Sequence, residues 1–183
     1  MKVLDKLISD HAQMSKMLVI MDEEIRVFVE GGTLDYLLLQ TALDFMDLRT
    51  TTNHHIFEEK MASILMLKGV CDKKLFDHLE VDHERISFLG NELKNAIDNV
   101  EQDNQLPRIW VLSVMQEYIN VQRRHMLEEE KTIFPMAKLN LTTHDWASLD
   151  DLAKEMLVST SEEEAELASI QKDVIAWHME SHS

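Results

Sequence analysis

The chain has 183 residues and a formal net charge of −16, and its 45% hydrophobic and 28% charged residues are typical of a single globular domain. Such a negative surface repels phosphate backbones and anionic lipids, which argues against a nucleic-acid or membrane partner. Four glycines and two prolines are too few for the turns of a β-sandwich, and a single cysteine excludes an intramolecular disulfide. The low Gly and Pro content leads us to expect an all-α protein. Since we find no apolar segment of signal-peptide or membrane-spanning type, we expect it in the cytoplasm.

Four long helices are predicted by apolar residues that recur every three or four positions. Their ranges are about 3–30, 33–68, 72–100 and 107–140. Thr33 and Asp72 are the predicted N-caps of the second and third helices, and Pro107 suits the first turn of the fourth. Long helices with short connections favour an antiparallel up-and-down four-helix bundle over residues 1–140.

Two shorter amphipathic helices are predicted after Asn140. Thr142 or Thr143 opens one of them, and Ser159 or Ser161 opens the other. They form a C-terminal extension, residues 141–183, which either lies across the bundle or forms a homodimer contact.

The first 140 residues contain an internal repeat of two helical hairpins, residues 1–69 and 72–140. A shift of 72 residues places His11 on His83, each within a Leu-x-x-Asp-His segment. A shift of 71 places His54 on His125 and aligns the two Glu-Glu-Lys segments that follow them. Each hairpin therefore carries one histidine at an apolar helix position, followed by a His-x-x-x-Glu pair.

This spacing is typical of a metal site. Residues four apart lie on one helix face, so His54 with Glu58, and His125 with Glu129, point towards the same place. His11 and His83 complete a set of four imidazoles and two carboxylates in the core of a bundle. A lone histidine on an apolar helix face is usually an ordinary core residue, but six positions that match across a repeat indicate a dinuclear site. Nitrogen and oxygen donors without thiolate favour Fe or Mn, with Zn as an alternative.

At these residues the chain resembles the hemerythrin-like (HHE cation-binding) family. The order His11, His54-x-x-x-Glu58, His83, His125-x-x-x-Glu129 is similar to that family's ligand order. The resemblance covers about residues 1–140. It implies two Fe ions, bridged by Glu58 and Glu129 and by an oxo or hydroxo group, with the four histidines as terminal ligands.

One ligand pair is ambiguous. His55 and Glu59 have the same four-residue spacing as His54 and Glu58, and the apolar phase of the preceding helix projects to His55. The internal repeat and the family signature favour His54 and Glu58. The helix-weak run 50–53 predicts a kink or a change of phase, which weakens the argument from the upstream residues. We therefore assign His54 and Glu58 and keep His55 and Glu59 as the alternative.

The chain departs from the pattern of the respiratory hemerythrins, which have two histidines four apart on the third helix. Ser87 stands four residues after His83, so six ligands are evident rather than seven. Asp82, Glu84 and His55 are the candidates for a seventh. Fewer protein ligands favour a site that reacts with small molecules over one that only stores them.

The leading hypothesis is a non-haem di-iron protein that binds or reacts with O2, NO or peroxide. The alternatives are an iron-handling or redox- or oxygen-sensing module without turnover, and a metal-free helical interaction protein. The sequence does not decide whether the protein is an enzyme, a sensor or a carrier.

Overall fold

The computed structural model describes residues 2–101, 108–159 and 161–181, and every regular element in these ranges is a helix. The helices are α1 (Lys2–Val29), α2 (Tyr36–Arg49), α3 (His55–Leu67), α4 (Lys73–Glu101), α5 (Arg108–Glu128), α6 (Phe134–Asn140), α7 (Thr143–Ser159) and α8 (Ser161–Ser181). The predicted all-α class is confirmed. Pro107, which the sequence placed in the first turn of the fourth helix, lies outside the described residues. No helix in the described ranges is long and apolar enough to cross a membrane.

The helix boundaries follow local chemistry. Gly31, with a φ of 95°, takes the left-handed conformation just after α1. The predicted cap Thr33 is wrong, because the side chain of Asp35 accepts the hydrogen bond from the Leu38 amide, 3.0 Å away, and α2 starts after it. Asp72 caps α4 as predicted, since its Oδ1 accepts from the Leu75 amide at 2.8 Å.

Two short π-helical segments interrupt the long helices. The first, Thr50–His54, joins α2 to α3, and the second, Glu129–Ile133, joins α5 to α6. A π-helical turn is wider than an α-helical turn, so the side chains after it point in a different direction. The predicted change of phase in the 50–53 run is therefore present, and a second one lies at Glu129.

The long helices enclose a core that continues through most of the chain. Helix α1 packs against α2 and α5, while α4 packs against α2, α3 and α5. One cluster of buried apolar residues includes Met14, Leu39 and Met115, and a second includes Leu7, Phe57 and Phe134. Burying such side chains stabilises the fold by about 1.5–3 kcal/mol each.

The two C-terminal helices pack on the rest of the same chain. Helix α7 contacts α1 and α3, and α8 lies along α2. Leu167 and Val174 of α8 are fully buried in the first apolar cluster. One of the two arrangements that the sequence left open, packing across the other helices, is thus present, and the homodimer stays a prediction.

Candidate metal centre

The structure brings the six predicted ligands together from four helical regions. His11 lies on α1, His83 on α4 and His125 on α5. His54 ends the first π-helical segment, Glu58 lies in the first turn of α3, and Glu129 begins the second π-helical segment. All six are buried, with at most 5% of each residue exposed. The side chains of two groups of residues converge here.

The first group comprises His11, His54, Glu58 and Glu129, and each residue offers one donor atom within 4.8 Å of the other three. His54 Nε2 lies 2.8 Å from Glu58 Oε1. His11 Nε2 lies 3.5 Å from the same oxygen and 3.3 Å from Glu129 Oε2. The ring of Phe134 stacks on His11 with 5.3 Å between the centroids, so an aromatic wall covers one side of this group.

The second group comprises His55, Glu58, His83 and His125, again with one donor atom from each within 4.8 Å of the others. His83 Nε2 lies 3.4 Å from Glu58 Oε2, the oxygen that does not face His54. The rings of His55 and His83 stack in parallel with their centroids 3.6 Å apart. Because Glu58 belongs to both groups through its two oxygens, it lies between two adjacent clusters of donors.

The donor atoms at this centre have no hydrogen-bond partner. Nε2 of His11, His54, His55, His83 and His125, and both carboxylate oxygens of Glu58 and Glu129, are buried without one. An unsatisfied buried polar atom costs about 1–3 kcal/mol, and a charged one costs more. Nine such atoms in two adjacent groups are consistent with a cation site.

The other ring nitrogens, the Nδ1 atoms, face a second layer of carboxylates. Those of His11 and His83 lie 3.0 Å from Glu130 and Glu59, respectively. That of His54 lies 3.3 Å from Asp10, and that of His125 lies 3.9 Å from Asp82. A carboxylate on Nδ1 holds its proton there and leaves Nε2 free to bind a metal.

This second layer follows the internal repeat. Asp10 faces Nδ1 of His54 as Asp82 faces Nδ1 of His125. Glu130 faces Nδ1 of His11 as Glu59 faces Nδ1 of His83. Each aspartate thus faces a histidine of its own hairpin, whereas each glutamate contacts a histidine of the other hairpin. Arg49 and Arg124 stand at different positions of the repeat but make similar contacts, to Oδ1 of Asp10 at 3.2 Å and Oδ1 of Asp82 at 2.8 Å, respectively.

The buried carboxylates favour the positively charged form of two histidines in the first group. Burial by itself lowers the pKa of His11, but the carboxylates of Glu129 and Glu58 outweigh it and raise the pKa to about 9. Burial likewise opposes the charged form of His54, yet Glu58 and Asp10 raise its pKa to about 9. Without a metal ion, two imidazolium groups therefore supply part of the charge that the buried carboxylates require.

In the second group, the pKa values of two histidines are lowered instead. Burial and the charge of His83 lower the pKa of His55 to about 2, and burial is also the main cause that lowers the pKa of His125 to about 3. Burial and the negative charge of Glu58 raise the pKa of Glu129 well above its usual range. Neutral imidazoles are the form that binds metal ions, so His55 and His125 are ready to do so.

The first π-helical segment explains the ambiguity between His54 and His55. Consecutive side chains on an α-helix diverge by about 100°. His54 ends the π-helical segment and joins the first group, while His55 begins α3 and joins the second. Glu59 belongs to neither group and pairs with His83 instead.

The sequence left His55 open as a seventh ligand beside Asp82 and Glu84. Asp82 contacts Arg124 and the outer side of His125, and Glu84 is exposed on α4. His55 is the one of these three candidates whose nitrogen faces the central donors. Its signal in the sequence was the adjacent histidine pair.

The role of these carboxylates beside the Nδ1 atoms was not predicted from the sequence, which named Asp82 and Glu59 only as alternative ligands, although the repeated segments contain all four. Asp10 and Asp82 precede the histidines of the two Leu-x-x-Asp-His segments, and Glu59 and Glu130 follow the ligands in the two Glu-Glu-Lys segments. A repeated acidic residue beside a ligand was the signal that would have identified them.

A cation fits this donor set. Five imidazole nitrogens and two carboxylates, without thiolate, suit Fe, Mn or Zn, and helical bundles hold pairs of such ions between facing helices. The fit rests on the nine buried donor atoms that make no hydrogen bond in the protein. Each of the two groups therefore offers four protein donors that could hold a metal ion.

Comparison with known proteins agrees with this geometry. The family model for the hemerythrin HHE cation-binding domain matches residues 2–137, which include every residue of both donor groups. No significant match was found among curated proteins or among solved structures. With three quarters of its length matched and its buried histidines and glutamates in two groups, the chain belongs to the hemerythrin HHE cation-binding domain family.

Proposed function

We propose that the protein holds a non-haem di-iron centre that binds or reacts with a small ligand, namely O2, NO or peroxide. The observation that carries the proposal is the pair of four-donor groups joined through the two oxygens of Glu58. We further propose that the helices around this centre form an antiparallel four-helix bundle, residues 1–140, with 141–183 as a helical extension. The acidic charge of the chain fits a small-molecule partner and neither nucleic acid nor membrane.

Seven residues have assigned roles in this proposal. His11 and His54 would hold one ion, and His55, His83 and His125 would hold the other. Glu58 belongs to both groups and would serve both ions. Glu129 binds the first ion and, because its Oε2 also lies 3.4 Å from His125 Nε2, is placed to bridge as well.

The protein environment controls what reaches the centre. A pair of ferrous ions held by these residues would supply electrons to a small ligand. The side chains of the first donor group are almost fully buried, and Phe134 shields His11. The second-layer carboxylates hydrogen-bonded to Nδ1 of His11, His54 and His83 keep the protons of these three histidines on Nδ1, so that the imidazole orientation is fixed before the ligand arrives.

A metal-free interaction protein fits the structure less well. Such a protein would keep two carboxylates and several histidine nitrogens buried without partners, at a cost of several kcal/mol. An iron-handling or sensing module uses the same donors without turnover and therefore differs in kinetics rather than in structure.

The test is the metal content of protein purified without oxygen, followed by its absorption spectrum on exposure to air. We expect about two irons per chain and new near-ultraviolet charge-transfer bands. The variant Glu58→Gln removes the residue that both groups share and is expected to lose both ions. The matched control is Glu80→Gln, which changes an exposed glutamate by the same atoms.

The outcomes separate the alternatives. Consumption of O2, NO or peroxide over many cycles favours an enzyme, whereas stoichiometric binding without turnover favours a carrier or a sensor. Iron that stays at wild-type content in Glu58→Gln contradicts the proposed centre.

A further inference from the structure

We propose that His78, Asp82 and Glu128 form a second, outer cation site through which divalent iron reaches the buried centre. The inference rests on the proposed function, because it supplies ions to that centre. The three residues each offer one donor atom within 4.8 Å of the others. His78 Nδ1 and Glu128 Oε1 lie 3.5 Å apart, and one nitrogen with two carboxylates is a donor set for Fe²⁺, Mn²⁺ or Zn²⁺.

The outer site lies on the wall between the surface and the centre. His78 and Glu128 line an open groove along α4, together with Asp72 and Asp77. The same two residues also line a small cavity beneath the groove, whose inner wall includes His125 and Glu129. The groove and the cavity thus meet at His78 and Glu128, with solvent on one side and proposed ligands on the other.

The inner wall of this cavity carries unsatisfied donors. Both carboxylate oxygens of Glu129 are buried without a hydrogen-bond partner, and Glu129 is only 1% exposed. An ion at the outer site therefore faces buried donor oxygens that have no hydrogen-bond partner. The cavity has room for about one water-sized particle, which suits a single ion that loses its water as it passes.

Asp82 connects the two sites. It is buried, it belongs to the outer group, and its Oδ2 lies 3.9 Å from Nδ1 of His125. Its Oδ1 accepts a hydrogen bond from Arg124 at 2.8 Å, which holds the carboxylate in place while the other oxygen remains directed towards the centre.

The internal repeat shows that the outer site is specific to the second hairpin. The positions that correspond to His78, Asp82 and Glu128 in the first hairpin are Lys6, Asp10 and Phe57. There the Lys6 ammonium lies 3.0 Å from Asp10, and Phe57 is fully buried. In the first hairpin, Lys6 and Phe57 therefore occupy the positions where a cation could bind. In the second hairpin, His78 and Glu128 leave those positions able to bind a cation from solution.

The experiment measures the loading of metal-free full-length protein with Fe²⁺ under anaerobic conditions, followed as the loss of iron from a coloured chelator. The double variant His78→Ala/Glu128→Gln is expected to load about tenfold more slowly and to reach the same final content of about two irons. Both side chains are partly exposed, 49% and 36%, so the variant keeps its core. The control His144→Ala/Glu155→Gln removes the same chemical groups from exposed positions of α7 and is expected to load at the wild-type rate.

A direct readout is Mn²⁺ binding, followed by electron paramagnetic resonance, to protein whose buried centre is already filled with iron. We expect one further, weaker equivalent that disappears in His78→Ala/Glu128→Gln and persists in the control. An unchanged loading rate in the double variant overturns the outer site, as does an equal slowing in the control, which would reflect overall charge alone. Wild-type protein that takes up no iron refutes the proposed function itself, so the two failures are distinguishable.

Discussion

Replacing His55 by alanine tests the feature that distinguishes the structure from the six-ligand pattern, namely two separate donor groups. His55 belongs to the group with His83 and His125, and the other group, built around His11 and His54, does not include it. The substitution leaves three donors in one group and all four in the other. Because His55 is only partly buried, the change does not remove a side chain on which the core depends.

The expected loss of metal affinity follows from the proposed role of His55 as a ligand. Removing a residue that merely orients a metal ligand costs about 10–100-fold in metal affinity, and a ligand contributes at least as much. A tenfold loss corresponds to about 1.4 kcal/mol. At a chelator concentration that just leaves wild-type protein filled, His55→Ala should therefore retain about one iron per chain.

The assay is metal content after dialysis against a series of chelator concentrations, with helical circular dichroism as a check on folding. His54→Ala should also lose one ion, from the other group, while the exposed His144→Ala should retain both. Two ions held by His55→Ala with wild-type affinity would refute the role of His55. Loss of both ions from a folded variant would refute the independence of the two groups.

Three further predictions concern the second layer, the metal and the core. Asp10→Asn should weaken iron binding about 10–100-fold by releasing Nδ1 of His54, while the exposed Asp5→Asn should not, as chelator competition would show. Iron at about 1,000 times its Kd stabilises the folded state by about 4 kcal/mol, so its removal should lower Tm by roughly 8–16 °C in calorimetry, and an unchanged Tm would argue against a structural centre. Leu39→Ala, at a fully buried position, should lower the free energy of unfolding by about 2–5 kcal/mol and leave the iron content unchanged. The half-exposed Leu37→Ala on the same helix should change it by less than about 0.5 kcal/mol in urea denaturation.

Much of the fold was predictable because its signals are local. Apolar residues at three- and four-residue intervals predicted the long helices, and the Asp72 cap appears where its hydrogen-bond chemistry requires it. The cap of the second helix was misplaced by two residues, at Thr33 instead of Asp35, since both residue types suit an N-cap. Only the backbone geometry of the connection distinguishes them.

The sequence by itself predicted six residues that converge in the two donor groups, because residues four apart share a helix face and the internal repeat presents the same pattern twice. It could not place His55 or the second-layer carboxylates. Their roles depend on a π-helical turn and on contacts between residues more than 20 positions apart, as for His83 and Glu59. Tertiary structure decided these points, because a nitrogen or an oxygen becomes a ligand or a partner only when packing fixes its direction and removes the water that would otherwise satisfy it.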